Sequence, residues 1–137
     1  MKLKSAIKKP RRTKRPVPKP TEDALARLLA EAALAEKAEA VVILDVAGIL
    51  DYTDHFVIAS GKSARQAQAI AANIQRAALA AGSRVHGVEG EEDGNWILVD
   101  AGTVIAHVFY APVRQFYDLE KLWGDAKRTE IEDKAQG

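Results

Sequence analysis

The feature that most constrains this sequence is a short apolar segment followed by a glycine and a capped helical pattern. Residues 55–60, HFVIAS, have the length and composition of a β-strand. Ser63 and Gln66 then have the spacing of a capping box, in which side chains accept backbone N–H groups of the first helical turn. The apolar positions of one helix face follow, at Ala67, Ile70, Ala71, Ile74, Ala77 and Ala78. Because Gly82 is a typical helix stop, the sequence predicts a strand, a turn and an amphipathic helix.

The other hydrophobic patterns predict further strands and helices around this unit. The predicted elements are a helix over 22–38, strands over 41–44, 84–88, 96–100 and 103–110, and short helices that begin near Pro112 and Asp118. The segments 96–100 and 103–110 alternate in polarity and are separated by Ala101-Gly102, which predicts a hairpin. The order of these elements predicts an α/β fold with a mixed β-sheet of about five strands flanked by helices.

Charge is divided unevenly along the chain. Residues 1–20 contain nine basic residues, four of the five prolines and no acid, so residues 21–137 hold 11 basic residues and all 19 acids, a net charge of 11 − 19 = −8. Like charges repel and prolines interrupt helices, so residues 1–20 are predicted to form a basic, Pro-rich disordered arm. The arm could contact RNA phosphates or serve only as a solubilising terminus. Residues 21–127 are the predicted domain, and the polar residues 128–137 are predicted to fray.

Composition excludes several classes of protein. The chain of 137 residues has no cysteine, which rules out disulfide frameworks, thiol catalysis and Cys-ligated metals. No apolar run approaches the roughly 20 residues of a membrane helix, and no apolar stretch follows the basic N-terminus to form a secretory signal. We therefore expect a cytoplasmic protein without a membrane partner.

Catalytic signals are weak. The segment Ser60-Gly61-Lys62-Ser63 precedes a predicted helix, where an anion can bind, but it lacks the glycine spacing of a P-loop. A tight turn with a capped helix explains the same residues. Asp45, Asp51 and Asp54 could form an acidic metal cluster, although no second motif supports one. The three histidines share no zinc-ligand spacing. We expect no catalytic residue, cofactor or metal site.

The predicted hairpin has two unlike faces. If Ala101-Gly102 is a two-residue turn, Trp96 pairs with His107. One face then carries small aliphatic side chains suited to packing beneath helices. The opposite face carries Trp96, Leu98, Asp100, Ile105, His107 and Phe109. Because only a short C-terminal helix remains to cover that second face, we predict that it is partly exposed and has the composition of a protein interface. The alternative is that the C-terminal helix folds over it.

Several motifs resemble those of the ribosomal silencing factor (Iojap-related) family. The segment 51–61, DYTDHFVIASG, followed by SARQ at 63–66, is similar to the most distinctive stretch of that family. The later matches, in family order, are G-x-EG at 87–90, G-x-WILVD at 94–100, HVF at 107–109 and RQFYDLEKLW at 114–123. Together these motifs cover about residues 22–127, and the basic arm lies outside the resemblance.

The resemblance implies a nucleotidyltransferase-like fold in a family that is not known as enzymes. It further implies binding to ribosomal protein uL-fourteen on the large ribosomal subunit, which sterically blocks the small subunit and represses translation under nutrient limitation. The partner-binding residues carried over by the resemblance are Trp96, Leu98, Asp100, His107, Phe109, Tyr117, Asp118, Leu119 and Glu120. Thr103 departs from the family pattern, where relatives often have a second Asp, and so an acidic contact would be missing there.

Two other hypotheses stay open from the sequence. A metal-dependent nucleotidyltransferase or nucleotide-binding protein would use the Gly61-Lys62-Ser63 segment with the three aspartates. Alternatively, the apolar hairpin face could serve a homodimer of the free protein. Contact of the basic arm with ribosomal RNA is compatible with the silencing-factor hypothesis.

Overall fold

A six-stranded mixed β-sheet organises the chain. The computed structural model describes the backbone of residues 20–132 and the side chains of residues 24–132, so the predicted arm before Pro20 and the last five residues lie outside the described residues. The elements are α1 (Pro20–Ala35), β1 (Glu39–Asp45), β2 (His55–Gly61), α2 (Ala64–Ala80), β3 (Gly87–Glu89), β4 (Trp96–Asp100), β5 (Val104–Tyr110), α3 (Ala111–Tyr117), α4 (Leu119–Leu122) and β6 (Lys127–Glu130). The predicted mixed α/β class is confirmed.

The strand order shows how distant segments meet. The sheet runs β3-β4-β5-β2-β1-β6, and β2 and β5 pair in parallel at its centre. All other neighbouring strands are antiparallel. Among residues 20–132, no helix is long and apolar enough to cross a bilayer.

Strand β6 corrects the predicted C-terminal boundary. Residues 128–130, predicted to fray, instead pair with β1, from Asp45 opposite Lys127 to Val42 opposite Glu130. The backbone N–H of Ile131 continues the pairing by donating to the carbonyl of Val41 at 2.9 Å. Strand β6 lies at the edge of the sheet, where charged side chains are typical. Its sequence, KRTE, therefore has no apolar periodicity that would predict a strand. The sheet therefore has six strands instead of about five.

The hairpin between β4 and β5 turns one residue later than predicted. Trp96 lies opposite Phe109 and Leu98 lies opposite His107, so the predicted Trp96–His107 pair is wrong. The Ala101 N–H donates to the Val104 carbonyl at 2.9 Å, which places Gly102 and Thr103 at the turn, and the Asp100 carboxylate accepts the N–H of Gly102 at 2.9 Å. A two-residue change of register keeps every side chain on its predicted face, since the strand period is two.

Helices α1 and α2 cover one face of the sheet. The small aliphatic side chains of the hairpin pack beneath these helices as predicted: Ile97, Val99, Val104, Ala106 and Val108. Alanine-rich helices suit this layer because small side chains let helix and sheet approach closely. The opposite face of the sheet forms a second core, described below.

The turn from β2 into α2 has the predicted capping geometry. Ser63 Oγ accepts the N–H of Gln66 at 3.0 Å, and Gln66 Oε1 accepts the N–H of Lys62 at 2.7 Å. The Gln66 amide also donates to the carbonyl of Lys37 at 3.1 Å, which ties the start of α2 to the end of α1. A Cβ on Gly61 would lie 2.9 Å from the backbone nitrogen of Ala67, so the close approach of strand and helix requires glycine there.

Candidate protein-docking surface

The aromatic face of the hairpin is buried, which corrects its predicted partial exposure. Trp96 is 9% exposed and Leu98 is 1% exposed. The remaining predicted contact residues of this face are also buried: Asp100, His107 and Phe109. Apart from the edge of Trp96, these side chains therefore do not present a surface to a partner in this structure.

The connection between β1 and β2 contributes most of the unexpected cover. Within it, Val46 and Tyr52 are buried in the same cluster as Phe56 and Leu98. Leu119 of α4 is buried there too, and Trp123 packs against the cluster. The sequence predicted only the C-terminal helix as cover for this face. The apolar positions in that connection have no regular spacing that would have indicated burial.

A hydrogen bond in this second core fixes the indole of Trp96. Trp96 Nε1 donates to His107 Nδ1 at 3.1 Å, and Phe56 meets His107 edge-on with ring centroids 4.6 Å apart. On its other side Trp96 stacks with Phe109 at 5.2 Å. Because its N–H is used inward, Trp96 offers only its ring toward the surface.

Arg114 ties α3 to the sheet and to α4. Its buried guanidinium donates from Nη1 to the Ala40 carbonyl at 2.7 Å and to Ser60 Oγ at 2.9 Å, and from Nε to Glu120 Oε1 at 2.9 Å. Glu120 Oε2 in turn accepts from Arg128 of β6. Burial alone would raise the pKa of Glu120, but hydrogen bonds and charge from Arg114 and Arg128 outweigh it and lower that pKa. Glu120 therefore stabilises the fold.

The junction of α3 and α4 exposes aromatic side chains. Asp118 joins the two helices in the left-handed conformation, with φ 48°, and its carboxylate caps α4 by accepting the N–H of Lys121 at 3.3 Å. The chain just before this junction presents Phe116, 81% exposed, and Tyr117, 49% exposed. Their rings meet edge-on at 5.1 Å. An exposed aromatic pair on a short, capped turn is typical of a recognition surface.

A groove of about 400 Å³ opens beside this aromatic pair. Its lining residues are Asp93, Asn95, Trp96, Pro112, Val113, Phe116 and Tyr117. The rings of Trp96 and Tyr117 lie 4.6 Å apart, which joins the buried core to the exposed surface. The groove thus has aromatic walls and a polar rim.

An acidic loop contributes Asp93 to that rim. Residues 91–93, Glu-Glu-Asp, connect β3 to β4, and Gln68 of α2 donates to the Glu91 carbonyl at 2.8 Å. Gln75 donates to the Glu91 carboxylate at 3.0 Å. Gly94, with φ 72°, lies so close to α2 that a Cβ would be 2.7 Å from the Ala64 carbonyl oxygen. We call this loop, the groove, Phe116 and Tyr117 the docking surface.

The catalytic candidates are not brought together. Within residues 20–132 no group of three His, Asp or Glu side chains is arranged to hold a metal ion. Asp45 instead accepts the N–H of Ala47 at 3.2 Å. In the SGKS segment Ser63 caps α2, and Lys62 pairs with Glu39 at 3.4 Å. These atoms have structural partners that account for their positions.

The nine predicted partner-binding residues separate into three environments. Tyr117 and Asp118 are exposed, Glu120 is half-buried in the arginine network, and six are buried, namely Trp96, Leu98, Asp100, His107, Phe109 and Leu119. Phe116 is not among the predicted contact residues, although it lies inside the RQFYDLEKLW motif. The acidic loop, 91–93, was also not predicted as part of a site, because only the folded chain places Asp93 beside α3.

Comparison with known proteins decides the family. A family model described as "Ribosomal silencing factor during starvation" matches residues 18–137. The chain belongs to the ribosomal silencing factor family. It is 44% identical to the ribosomal silencing factor of Halalkalibacterium halodurans over 97 residues, which are 71% of this chain and 83% of that protein. The predicted family resemblance is confirmed, and the match extends through β6 to the end of the chain.

A solved structure and a more distant relative extend the comparison. The crystal structure of a Chromobacterium violaceum protein matches with a TM-score of 0.73 and 35% identity, and the match covers 81% of this chain and 92% of that one. A mouse protein named for mitochondrial assembly of the ribosomal large subunit is 31% identical over 64% of this chain and 40% of its own length. Ribosomal silencing factors act in translation regulation, and this assigns the chain to that process. The likeness to nucleotidyltransferases stays a prediction.

Proposed function

We propose that this ribosomal silencing factor binds ribosomal protein uL-fourteen on the large subunit and sterically blocks the small subunit. It acts without catalysis, in the cytoplasm, and represses translation under nutrient limitation. Family membership supports the silencing role, and the name of the mouse relative supports the large subunit as the binding partner. The weakness of the catalytic signals agrees with a binding function.

The single observation that carries the docking proposal is the exposure of Phe116. Folding leaves this large apolar side chain 81% exposed beside Tyr117, on the rim of a groove. Burying an exposed aromatic side chain against a partner is a main source of binding free energy at protein interfaces. Phe116 and Tyr117 are therefore the proposed anchors of the complex.

Charge supports a basic protein as the partner. Asp93 of the acidic loop lines the groove, and residues 21–137 have a net charge of 11 − 19 = −8. An acidic surface attracts a basic ribosomal protein and accelerates encounter, whereas it repels bare RNA. The basic residues of the arm, 1–20, are the part of the chain suited to nearby ribosomal RNA phosphates.

The nine predicted contact residues take different roles in this proposal. Tyr117 and Asp118 touch the partner, together with Phe116. Trp96 contributes its ring to the groove wall, while Glu120 and the other buried residues hold α3 and α4 in place. The proposal thus moves the contact from the hairpin to the α3–α4 junction.

Co-sedimentation with purified large subunits tests this proposal. Phe116→Ala is compared with Leu79→Ala, which removes an exposed apolar side chain, 62% exposed, near the end of α2 and outside the groove. We expect wild type and Leu79→Ala to sediment with large subunits, and Phe116→Ala to bind about 30-fold more weakly, as for an interface anchor worth about 2 kcal/mol. Equal binding by all three proteins would exclude the docking surface.

A further inference from the structure

The groove has the chemistry of a receptor for one positively charged side chain. Its walls are the rings of Trp96, Phe116 and Tyr117, and its rim carries the carboxylate of Asp93. The lining residues that the structure describes include no Lys, Arg or His. Aromatic ring faces and a carboxylate both attract cations, and here no neighbouring cation in the lining opposes that attraction.

The carboxylate of Asp93 is held in position for such a ligand. Asp93 Oδ1 accepts the backbone N–H of Asn95 at 3.1 Å, which fixes the side chain at the start of β4. This hydrogen bond leaves Oδ2 available to a donor in the groove. Glu91 and Glu92, whose backbone carbonyls accept from Gln68 of α2, add negative charge to the same loop, outside the groove lining.

The aromatic walls favour a planar cation over a compact one. Trp96 is packed between Phe109 and Tyr117, at ring-centroid distances of 5.2 and 4.6 Å. The ring surface open to a ligand is therefore that of Tyr117, which is 49% exposed. A guanidinium can stack on a ring face while it donates two parallel hydrogen bonds to a carboxylate. A lysine ammonium is a strongly hydrated point charge and loses more solvation on entering an aromatic groove.

We propose that the groove binds an arginine side chain of the basic protein partner, with the guanidinium against the exposed ring of Tyr117 and paired to Asp93. This inference rests on the proposed function, since it names the group that the docking surface recognises. Pro112 and Val113 contact the aliphatic part of that side chain, and Phe116 packs on the surrounding surface of the partner. The acidic loop provides the long-range attraction.

The direct test is an NMR titration of the full chain with N-acetyl-arginine methylamide, compared with the lysine and citrulline analogues. We expect chemical-shift changes at Asn95, Trp96 and Tyr117 with millimolar arginine analogue, several-fold weaker binding of the lysine analogue, and none for neutral citrulline. Asp93→Asn keeps the size of the side chain but removes its charge, and Tyr117→Leu keeps an apolar side chain but removes the ring. Each variant should bind the arginine analogue about tenfold more weakly. Equal binding of all three analogues would overturn the proposal.

The same variants in large-subunit co-sedimentation separate this inference from the proposed function. We expect Asp93→Asn and Tyr117→Leu to weaken binding about tenfold, and Glu31→Gln, an exposed acid on α1, to leave it unchanged. If Phe116→Ala weakens binding while Asp93→Asn and Tyr117→Leu do not, the arginine groove is wrong and the docking surface stands. If wild type does not bind large subunits, the proposed function itself fails.

The chain's own arm is the competing source of arginine. A full-length variant with Arg11, Arg12 and Arg15 replaced by Gln removes the arginines of residues 1–20. If this variant binds the arginine analogue as wild type does, the groove is free for a partner, as proposed. If it binds several-fold more tightly, the arm fills the groove in the free protein and the assignment to a partner is overturned.

Discussion

Two aromatic regions of this protein have similar composition and opposite environments. The hairpin core packs Trp96, His107 and Phe109 under the β1–β2 connection and α4, whereas the α3–α4 junction leaves Phe116 and Tyr117 exposed. The difference lies in what covers each region. Trp96 belongs to both, because its N–H bonds inward to His107 and its ring reaches Tyr117. Aromatic content alone thus identifies neither core nor interface.

The largest expected effect contrasts a core leucine with a surface leucine. Leu98→Ala should lower the free energy of unfolding by about 3 kcal/mol, since it removes a fully buried side chain and leaves a cavity. The matched variant Leu122→Ala, at a residue 66% exposed, should change it by less than about 0.5 kcal/mol. Urea denaturation measures both. Similar losses of unfolding free energy in the two variants would mean that the hairpin face carrying Leu98 is not buried in the core.

The second effect concerns the link between the two regions. Arg114→Met should cost about 2 kcal/mol or more, because it leaves Ser60 Oγ and the Ala40 carbonyl without this donor and separates Glu120 from its more buried cation. Arg65→Met, at an exposed arginine of α2, is the control and should be close to neutral. If both variants unfold at the same urea concentration, the arginine network does not hold α3 in place.

A smaller effect is expected from pH. The pKa of Glu120 is held below its ordinary value of 4.5, so its ionised form adds stability above pH 4.5. That contribution disappears as the pH falls through the lowered pKa. Unfolding free energies of wild type and Glu120→Gln, measured from pH 7 to pH 3, should therefore differ most at neutral pH and converge in acid. A difference that does not change with pH would argue against the ion network.

The smallest effect on stability is expected at the docking surface itself. Phe116→Ala should change the free energy of unfolding by less than about 0.5 kcal/mol, because its side chain is 81% exposed. Thermal and urea unfolding of this variant beside wild type provide the measurement. A loss of several kcal/mol would assign Phe116 to the core and remove the contrast between the two regions.

Local patterns predicted much of the fold. Strand β4 has its predicted bounds, and Ser63 caps α2 as predicted while Gln66 accepts from Lys62 instead of Ser63, because these features depend on neighbouring residues. Strand β6 was missed since KRTE has no apolar periodicity and gains its partner only from β1. The predicted hairpin register was wrong because the turn lies at Gly102-Thr103, where the Asp100 carboxylate accepts the Gly102 N–H, and not at Ala101-Gly102.

The site was harder to predict than the fold. The RQFYDLEKLW motif correctly drew attention to α3 and α4, but exposure depends on packing between distant segments. Val46 and Tyr52 cover the hairpin core, and Asp93 of the acidic loop lines the same groove as Phe116. Both arrangements join segments that are distant in the sequence. A sequence periodicity cannot show either of them.

The central claim is that this protein blocks subunit joining through the α3–α4 junction. The most direct measurement is the joining of purified small and large subunits, followed by light scattering, at increasing concentrations of wild type or Phe116→Ala. The account predicts that wild type abolishes joining once it saturates the large subunit, and that Phe116→Ala requires about a 30-fold higher concentration. Equal inhibition by the two proteins, or joining that continues at saturating wild type, would contradict it.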